Sequence, residues 1–226
     1  MPAPRPARHR APLQERSRKT LDRVLAATEE LLRTKSFEEI SVAEIVRRAR
    51  ASVGAFYVRF ADKDALLPLI YRRYDEDLRT RFDELLKPDK WRGLDLRARV
   101  DELARIMVRL FRERRGLLRA VALYARLRPA SIPAEARAAR ARTMDAFAAL
   151  LAEPRDQIGH PDPEDAARFA IFMAAAICRD KILFGEAPHA STVPIDDDRL
   201  ARELARMLHG YLAGPAAPRS RAARSS

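Results

Sequence analysis

Tyr57, Arg59 and Lys63 place a phenol, a guanidinium and an ammonium in the segment ASVGAFYVRFADKD, residues 51–64. Groups of these types bind phosphate oxygens, which fix a protein's register on nucleic acid without reading its sequence. Beside them stand Gly54, Ala55 and Val58, a nearly bare apolar set that can meet thymine methyls in a major groove. Phe56 and Phe60 fall four apart and mark the opposite, core-facing side of a helix. Gly54 inside such a helix costs about 1 kcal/mol relative to Ala, so its presence needs a reason. Either the absent side chain lets the helix backbone approach base edges, or Gly54 packs against another helix and Tyr57 completes the core.

The elements that must position this segment precede it. Leu21, Val24, Leu25, Thr28, Leu31 and Leu32 recur at the spacing of an amphipathic helix. Ser41-Val42-Ala43-Glu44 is a capping-box opening for a short second helix, with Val42, Ile45, Val46 and Ala49 on its apolar face. A break of three or four residues then leads into the third helix. Three short helices with a tight break between the last two make a helix-turn-helix. In that arrangement the second helix of the pair enters the major groove and the first crosses the backbone.

Charge agrees with this placement. Residues 1–60 carry 13 Lys/Arg against 7 Asp/Glu, a net of +6, whereas residues 61–218 carry 28 against 25. The last eight residues, RSRAARSS, add +3 to a chain whose total is +12. Basic charge concentrated in the N-terminal quarter suits a polyanion, most simply nucleic acid, although a genome that uses Arg liberally gives a similar excess. The arm bearing Arg5, Arg8 and Arg10 either reaches a minor groove or is a solvated, disordered tail.

The rest of the chain keeps a helical period. Asp62 can cap a long fourth helix over 62–86, in which Pro68 predicts either a kink or a tolerated irregularity near the start. Val100, Leu103, Met107, Leu110 and Phe111 mark a fifth helix, and Leu117, Val121 and Tyr124 a sixth. A seventh spans roughly 134–153. The eighth opens with Asp162 as cap and Pro163 in first position and runs to Phe184. A ninth begins near Asp196 and carries Leu200, Leu204, Met207, Leu208 and Tyr211. The expectation is an all-α fold: a three-helix helix-turn-helix head and a C-terminal helical bundle, about nine helices in all. The expected division is a disordered arm over 1–13, a DNA-binding domain over 14–76, a body over 77–214 and a disordered tail over 215–226.

Several classes find no support. The first thirteen residues lack the apolar stretch of a secretory signal, and no charge-free run approaches a membrane span. One cysteine, Cys178, forbids an intrachain disulfide framework and reads as a small buried residue. Four scattered histidines show no metal-ligand spacing, and there is neither a nucleophile–base constellation nor a phosphate-cradling glycine loop. No enzyme activity, cofactor or metal is expected, and the chain is expected in the cytoplasm, at the nucleoid.

Residues 24–67, VLAATEELLRTKSFEEISVAEIVRRARASVGAFYVRFADKDALL, resemble the head of the TetR family of bacterial transcriptional regulators. The likeness rests on Ser41-Val42, Ala49, Ser52-x-Gly54, Phe56-Tyr57-x-x-Phe60 and Asp62-Lys63-Asp64. It implies DNA contacts at Ser41, Ala43, Ser52, Val53, Gly54, Ala55, Tyr57, Val58, Arg59 and Lys63, with Lys63 on a phosphate. Ser36 and Arg50 stand where the family usually has glycine, so both are expected in left-handed or strained backbone. Ile40 replaces a usual threonine and removes one hydroxyl. An outer face so poor in hydrogen-bonding groups points to recognition through methyl contacts and DNA shape.

The resemblance also implies a dimerisation and ligand-binding body. Helix eight is apolar almost all round and must be covered, which predicts a homodimer through the last two helices; a single-chain core is the alternative. Met107, Phe111, Tyr124, Met144, Phe147 and Phe172 are candidates to line a pocket for a lipophilic small-molecule effector. Arg105, Arg109 and Arg112 read as a solvated helix face. The implied partners are double-stranded DNA, a second copy of the chain and the effector, with no membrane. The expected function is a ligand-responsive repressor on a palindromic operator, with Pro68 as a hinge marker; a helical protein–protein adaptor lacking specific DNA binding is the alternative.

Overall fold

Local signals set the helix boundaries. In the computed structural model, which describes residues 10–128, 134–185 and 194–214, α1 (Arg10–Leu31) is followed by α2 (Val42–Arg48) and α3 (Val53–Tyr57). α4 (Leu67–Leu85), α5 (Leu96–Glu113), α6 (Arg115–Leu127), α7 (Ala134–Ala152), α8 (Pro163–Cys178) and α9 (Asp197–Ala213) complete the order. The fold is all-α, and the described residues hold no strand. Arg5, Arg8 and the tail over 215–226 lie outside the described residues, while α1 begins at Arg10, inside the stretch expected as a disordered arm. Among the described residues no helix is long and apolar enough to cross a membrane.

The described chain divides into two compact units. The first joins residues up to Asp77 with 114–128. Val24, Leu25, Leu32, Ile45, Val46, Phe56, Phe60, Leu66 and Ile70 form its core, and Leu117, Ala120 and Val121 of α6 are also buried. α6 presses so closely on the end of α1 that a Cβ at Gly116 would collide with the Leu32 carbonyl oxygen. Arg114 Nη2 lies 3.2 Å from Asp77 Oδ2 and Arg128 Nη1 3.1 Å from Asp64 Oδ2, fastening both ends of α6 within this unit.

Pro68 does not kink a helix interior. A 3₁₀ turn, Asp64–Leu66, absorbs the first turn, and Asp62 Oδ1 accepts the Ala65 N–H at 2.9 Å. α4 proper begins at Leu67, so Pro68 occupies its second position, where an N–H would have no intrahelical acceptor. Of the two readings, the tolerated helix-start irregularity holds.

The second unit contains Leu78–Glu113 and the described residues from 134 onward. α5 lies along α9, and α7 along α8. Asp162 Oδ1 accepts the Asp165 N–H at 3.0 Å with Pro163 in first position, as the sequence predicts, and Asp196 caps α9 in the same way. α8 runs into a five-residue π-helical turn, Arg179–Leu183. Cys178 is fully buried, and burial pushes its thiol up to about 12. Arg99 is buried as well. Its Nε donates to the Leu94 carbonyl at 2.9 Å, Nη2 to Trp91 at 2.9 Å and Nη1 to Leu150 at 2.5 Å, while Glu153 Oε2 supplies the counter-charge. A buried guanidinium this fully satisfied ties the loop before α5 to the end of α7.

Candidate nucleic-acid interface

The second helix starts as its sequence predicts. Ser41 Oγ accepts the Glu44 N–H at 3.2 Å and Glu44 Oε2 accepts the Ser41 N–H at 3.0 Å. Lys35 Nζ also lies 2.5 Å from Glu44 Oε1. These bonds, the one from Lys35 foremost and then that from Ser41, hold the Glu44 carboxyl down at about 2. Ser41 and Ala43 stay exposed.

The break between α2 and α3 is a Schellman turn. The Ala51 N–H donates to the Val46 carbonyl at 2.9 Å and the Arg50 N–H to Arg47 at 3.3 Å. Arg50 sits at the left-handed position with φ 50°, a place glycine fills without strain. Ser36 differs from the expectation: among the described non-glycine residues only Arg50 has positive φ. Its turn is closed instead by Glu39, whose Oε2 accepts from the Ser36 N–H at 2.8 Å and from Oγ at 2.9 Å.

Ser52 caps α3 by accepting the Ala55 N–H at 3.1 Å. Phe56 and Phe60 are buried, as their spacing requires, and the rings lie 5.0 Å apart. The outer side is open. Val58 is 85% exposed, Tyr57 54% and Val53 48%, Ser52 and Gly54 are exposed, and Ala55 is half-buried. A Cβ built at Gly54 would meet no atom within 4 Å. The alternative in which Gly54 packs against another helix and Tyr57 completes the core is therefore excluded within the described residues.

Two of the sequence-named cations turn inward. Arg59 Nη1 donates to the Ala55 carbonyl at 2.7 Å and Nη2 to Ser17 Oγ at 3.0 Å, laying the guanidinium between α3 and α1. Lys63 Nζ donates to the carbonyls of Phe37 at 2.7 Å, Ile40 at 2.8 Å and Glu38 at 3.3 Å, and stands 4.6 Å from the centre of the Phe37 ring. An ammonium has three protons, and here each has an acceptor. Lys63 thus binds the turn that leads into α2.

The effector candidates fall in both units. Met107 and Phe147 are buried in the second unit, Phe147 edge-on to Phe82 with 5.3 Å between ring centres. Phe111 and Met144 are half-buried there, Phe172 is 60% exposed on α8, and Tyr124 lies in the first unit beneath the Arg128 guanidinium. The second unit does hold an open groove of about 350 Å³ between the end of α4 and α5. Leu85, Ile106 and Leu110 make its apolar floor, with Arg81, Glu84, Arg109 and Glu113 at its edges. None of the six sequence candidates lines it. Arg112, read as solvated, is paired with Asp197, its Nε 2.9 Å from Oδ2.

On α8 and α9, Phe169, Phe172, Met207 and Tyr211 are exposed although large and apolar. Their rings adjoin: Phe169 is 6.1 Å from Phe172 and 5.6 Å from Tyr211. The buried side of α8 is carried by Ala166, Ala167, Ala170, Ile171 and Ala174.

Residues 24–70 match the sequence profile of the bacterial regulatory proteins of the tetR family. No curated protein sequence is significantly similar to the chain. Solved structures share its fold. A bacterial regulatory protein in the tetR family from Rhodococcus RHA1, 17% identical, has a TM-score of 0.59 over 88% of this chain and 99% of its own. NalD, the secondary repressor of the MexAB-OprM multidrug efflux pump in Pseudomonas aeruginosa, is 22% identical with a TM-score of 0.51, covering 88% and 98%. The multidrug-binding protein EbrR, solved with ethidium, is 21% identical with a TM-score of 0.52, covering 83% and 97%. The chain therefore has a tetR-type head over residues 24–70 and shares its fold with solved tetR-family regulators.

Proposed function

We propose that this chain, built on a tetR-type head, is a ligand-responsive DNA-binding regulator of transcription. Its simplest form is a repressor that grips a palindromic operator as a homodimer and releases it when a small molecule occupies the body. The observation that carries this reading is the outward side of α3. The fold has no use for a glycine at 54, because a Cβ there would meet nothing. A missing side chain on an open helix face serves something from outside the chain, and the flanking apolar Val53, Ala55 and Val58 suit base methyls. Ser41, Ala43 and Ser52 flank the groove at the two helix starts, Tyr57 supplies a phenol, and Arg59 and Lys63 hold the unit in shape.

The aromatic face of Phe169, Phe172 and Tyr211 supports a twofold interface of α8 and α9, which would set two α3 helices about 34–36 Å apart on successive major grooves. The α4–α5 groove, with its apolar floor, supports a lipophilic effector and lies within the usual volume range of small-molecule sites. The protein would act in the cytoplasm, at the nucleoid.

The test is to expose purified protein to sheared DNA of its own genome at roughly 150 mM salt and sequence what is retained. Fragments sharing an inverted repeat support a specific dimeric regulator, and their neighbouring genes suggest the effector. Retention without a shared motif leaves only the electrostatic component and favours the protein–protein adaptor.

A further inference from the structure

Arg50 is in a conformation that glycine takes without strain, so an arginine there needs an explanation outside the turn itself. Its exposed guanidinium has no hydrogen-bond or ion-pair partner among the described residues, and the same holds for exposed Arg47. The neighbouring cations are committed. Arg48 is bound by Glu30, Arg59 by Ser17 and the Ala55 carbonyl, and Lys63 by three carbonyls. Around the helix-turn-helix break, free positive charge therefore sits on Arg47 and Arg50. Position supports a use for it. Arg50 precedes the cap residue Ser52 by two, so the two Cα atoms are at most about 7 Å apart, and an extended guanidinium reaches past the start of α3.

We infer that Arg50, with Arg47 beside it, is a DNA-backbone contact that binds the phosphates bordering the groove entered by α3. This inference rests on the DNA-binding reading of the head. The arginine pair takes the phosphate role that sequence resemblance gives to Lys63, whose protons are already bound. Each phosphate neutralised adds about 0.9 to the slope of log affinity against log salt, whatever the base sequence. Arg50 stays exposed in its left-handed turn.

The test compares the native chain with Arg50→Asn and Arg50→Lys on two short duplexes, one bearing the recovered inverted repeat and one of random sequence, between about 50 and 200 mM salt. Asn tolerates the left-handed backbone, so Arg50→Asn keeps or raises the melting temperature. Its salt slope is expected to fall by about 0.9 on both duplexes, with affinity three- to tenfold weaker, roughly, at 150 mM salt. Arg50→Lys keeps the slope. An Arg50→Asn slope equal to the native one overturns the inference, as does a loss confined to a single base position. Failure of the native chain to distinguish the two duplexes refutes the operator reading instead, and the random duplex still reports on Arg50.

Discussion

Gly54→Ala separates stability from function in one substitution. The new Cβ projects into open space, so nothing in the unbound chain opposes it. Replacing a helical glycine by alanine removes a backbone-entropy cost of about 0.5–1 kcal/mol. In a chain of this size that corresponds to a melting temperature higher by about 1–4 °C. On the proposed operator the same methyl would stand between the α3 backbone and the base edges. Overpacking of a close contact costs about 1–3 kcal/mol, or roughly five- to 150-fold in affinity. Thermal melting followed by circular dichroism and fluorescence anisotropy on a labelled operator duplex give the two numbers. A raised melting temperature with native affinity would refute close approach of the backbone. A lowered melting temperature would mean that Gly54 packs against something in the fold.

Lys63→Met keeps the aliphatic length but leaves the carbonyls of Phe37, Glu38 and Ile40 without their donor. It should destabilise the first unit by about 1–3 kcal/mol in denaturant titration and weaken operator binding with an unchanged salt slope; a slope smaller by about 0.9 would return Lys63 to a phosphate. The Glu44 carboxyl, held at about 2 against an ordinary 4.5, favours the folded state fully above 4.5 and ceases to as pH falls toward 2. Glu44→Gln should therefore melt below the native chain at neutral pH, the gap closing between pH 4.5 and 2; a gap independent of pH would assign the loss to something other than ionisation. If α8 and α9 form the proposed twofold interface, Phe172→Glu, at an exposed position, should leave the second unit folded and lower the mass in light scattering from two chains to one; a native mass of one chain, or a mass the substitution leaves unchanged, would refute that interface.

Elements whose cause is local were legible in the sequence. The Ser41–Glu44 box, the Asp162-Pro163 opening of α8 and the four-residue spacing of Phe56 and Phe60 each act within one turn of chain, and each recurs in the structure. Long cations were not legible, because Lys63 bonds only to carbonyls 23 to 26 residues away and Arg59, besides the nearby Ala55 carbonyl, to a hydroxyl 42 residues away. Arg50 and Ser36 show the same divide. Both stand where glycine is usual, yet the nearby Glu39 carboxylate gives Ser36 another way to close its turn, and Arg50 has none. Pro68 allowed two readings, and the 3₁₀ turn before it decides for the helix start. Arg99 carries a signal in the sequence: it falls on the inward stripe of Leu96, Val100 and Leu103, where a charged residue has to be satisfied by something. Phe172, a pocket candidate by composition, is 60% exposed, and periodicity does not foresee that exposure.

Cys178 gives the chain a built-in reporter. It is the single thiol among 226 residues, it is sealed within α8, and its pKa near 12 leaves almost no thiolate at neutral pH. A thiol reagent can therefore modify the folded protein only as fast as α8 opens, so the labelling rate times the breathing of the second unit without any introduced probe. Head variants such as Gly54→Ala should label at the native rate. A small molecule bound in the α4–α5 groove should slow the reaction in proportion to its occupancy, which turns one cysteine into a screen for the effector that needs no DNA.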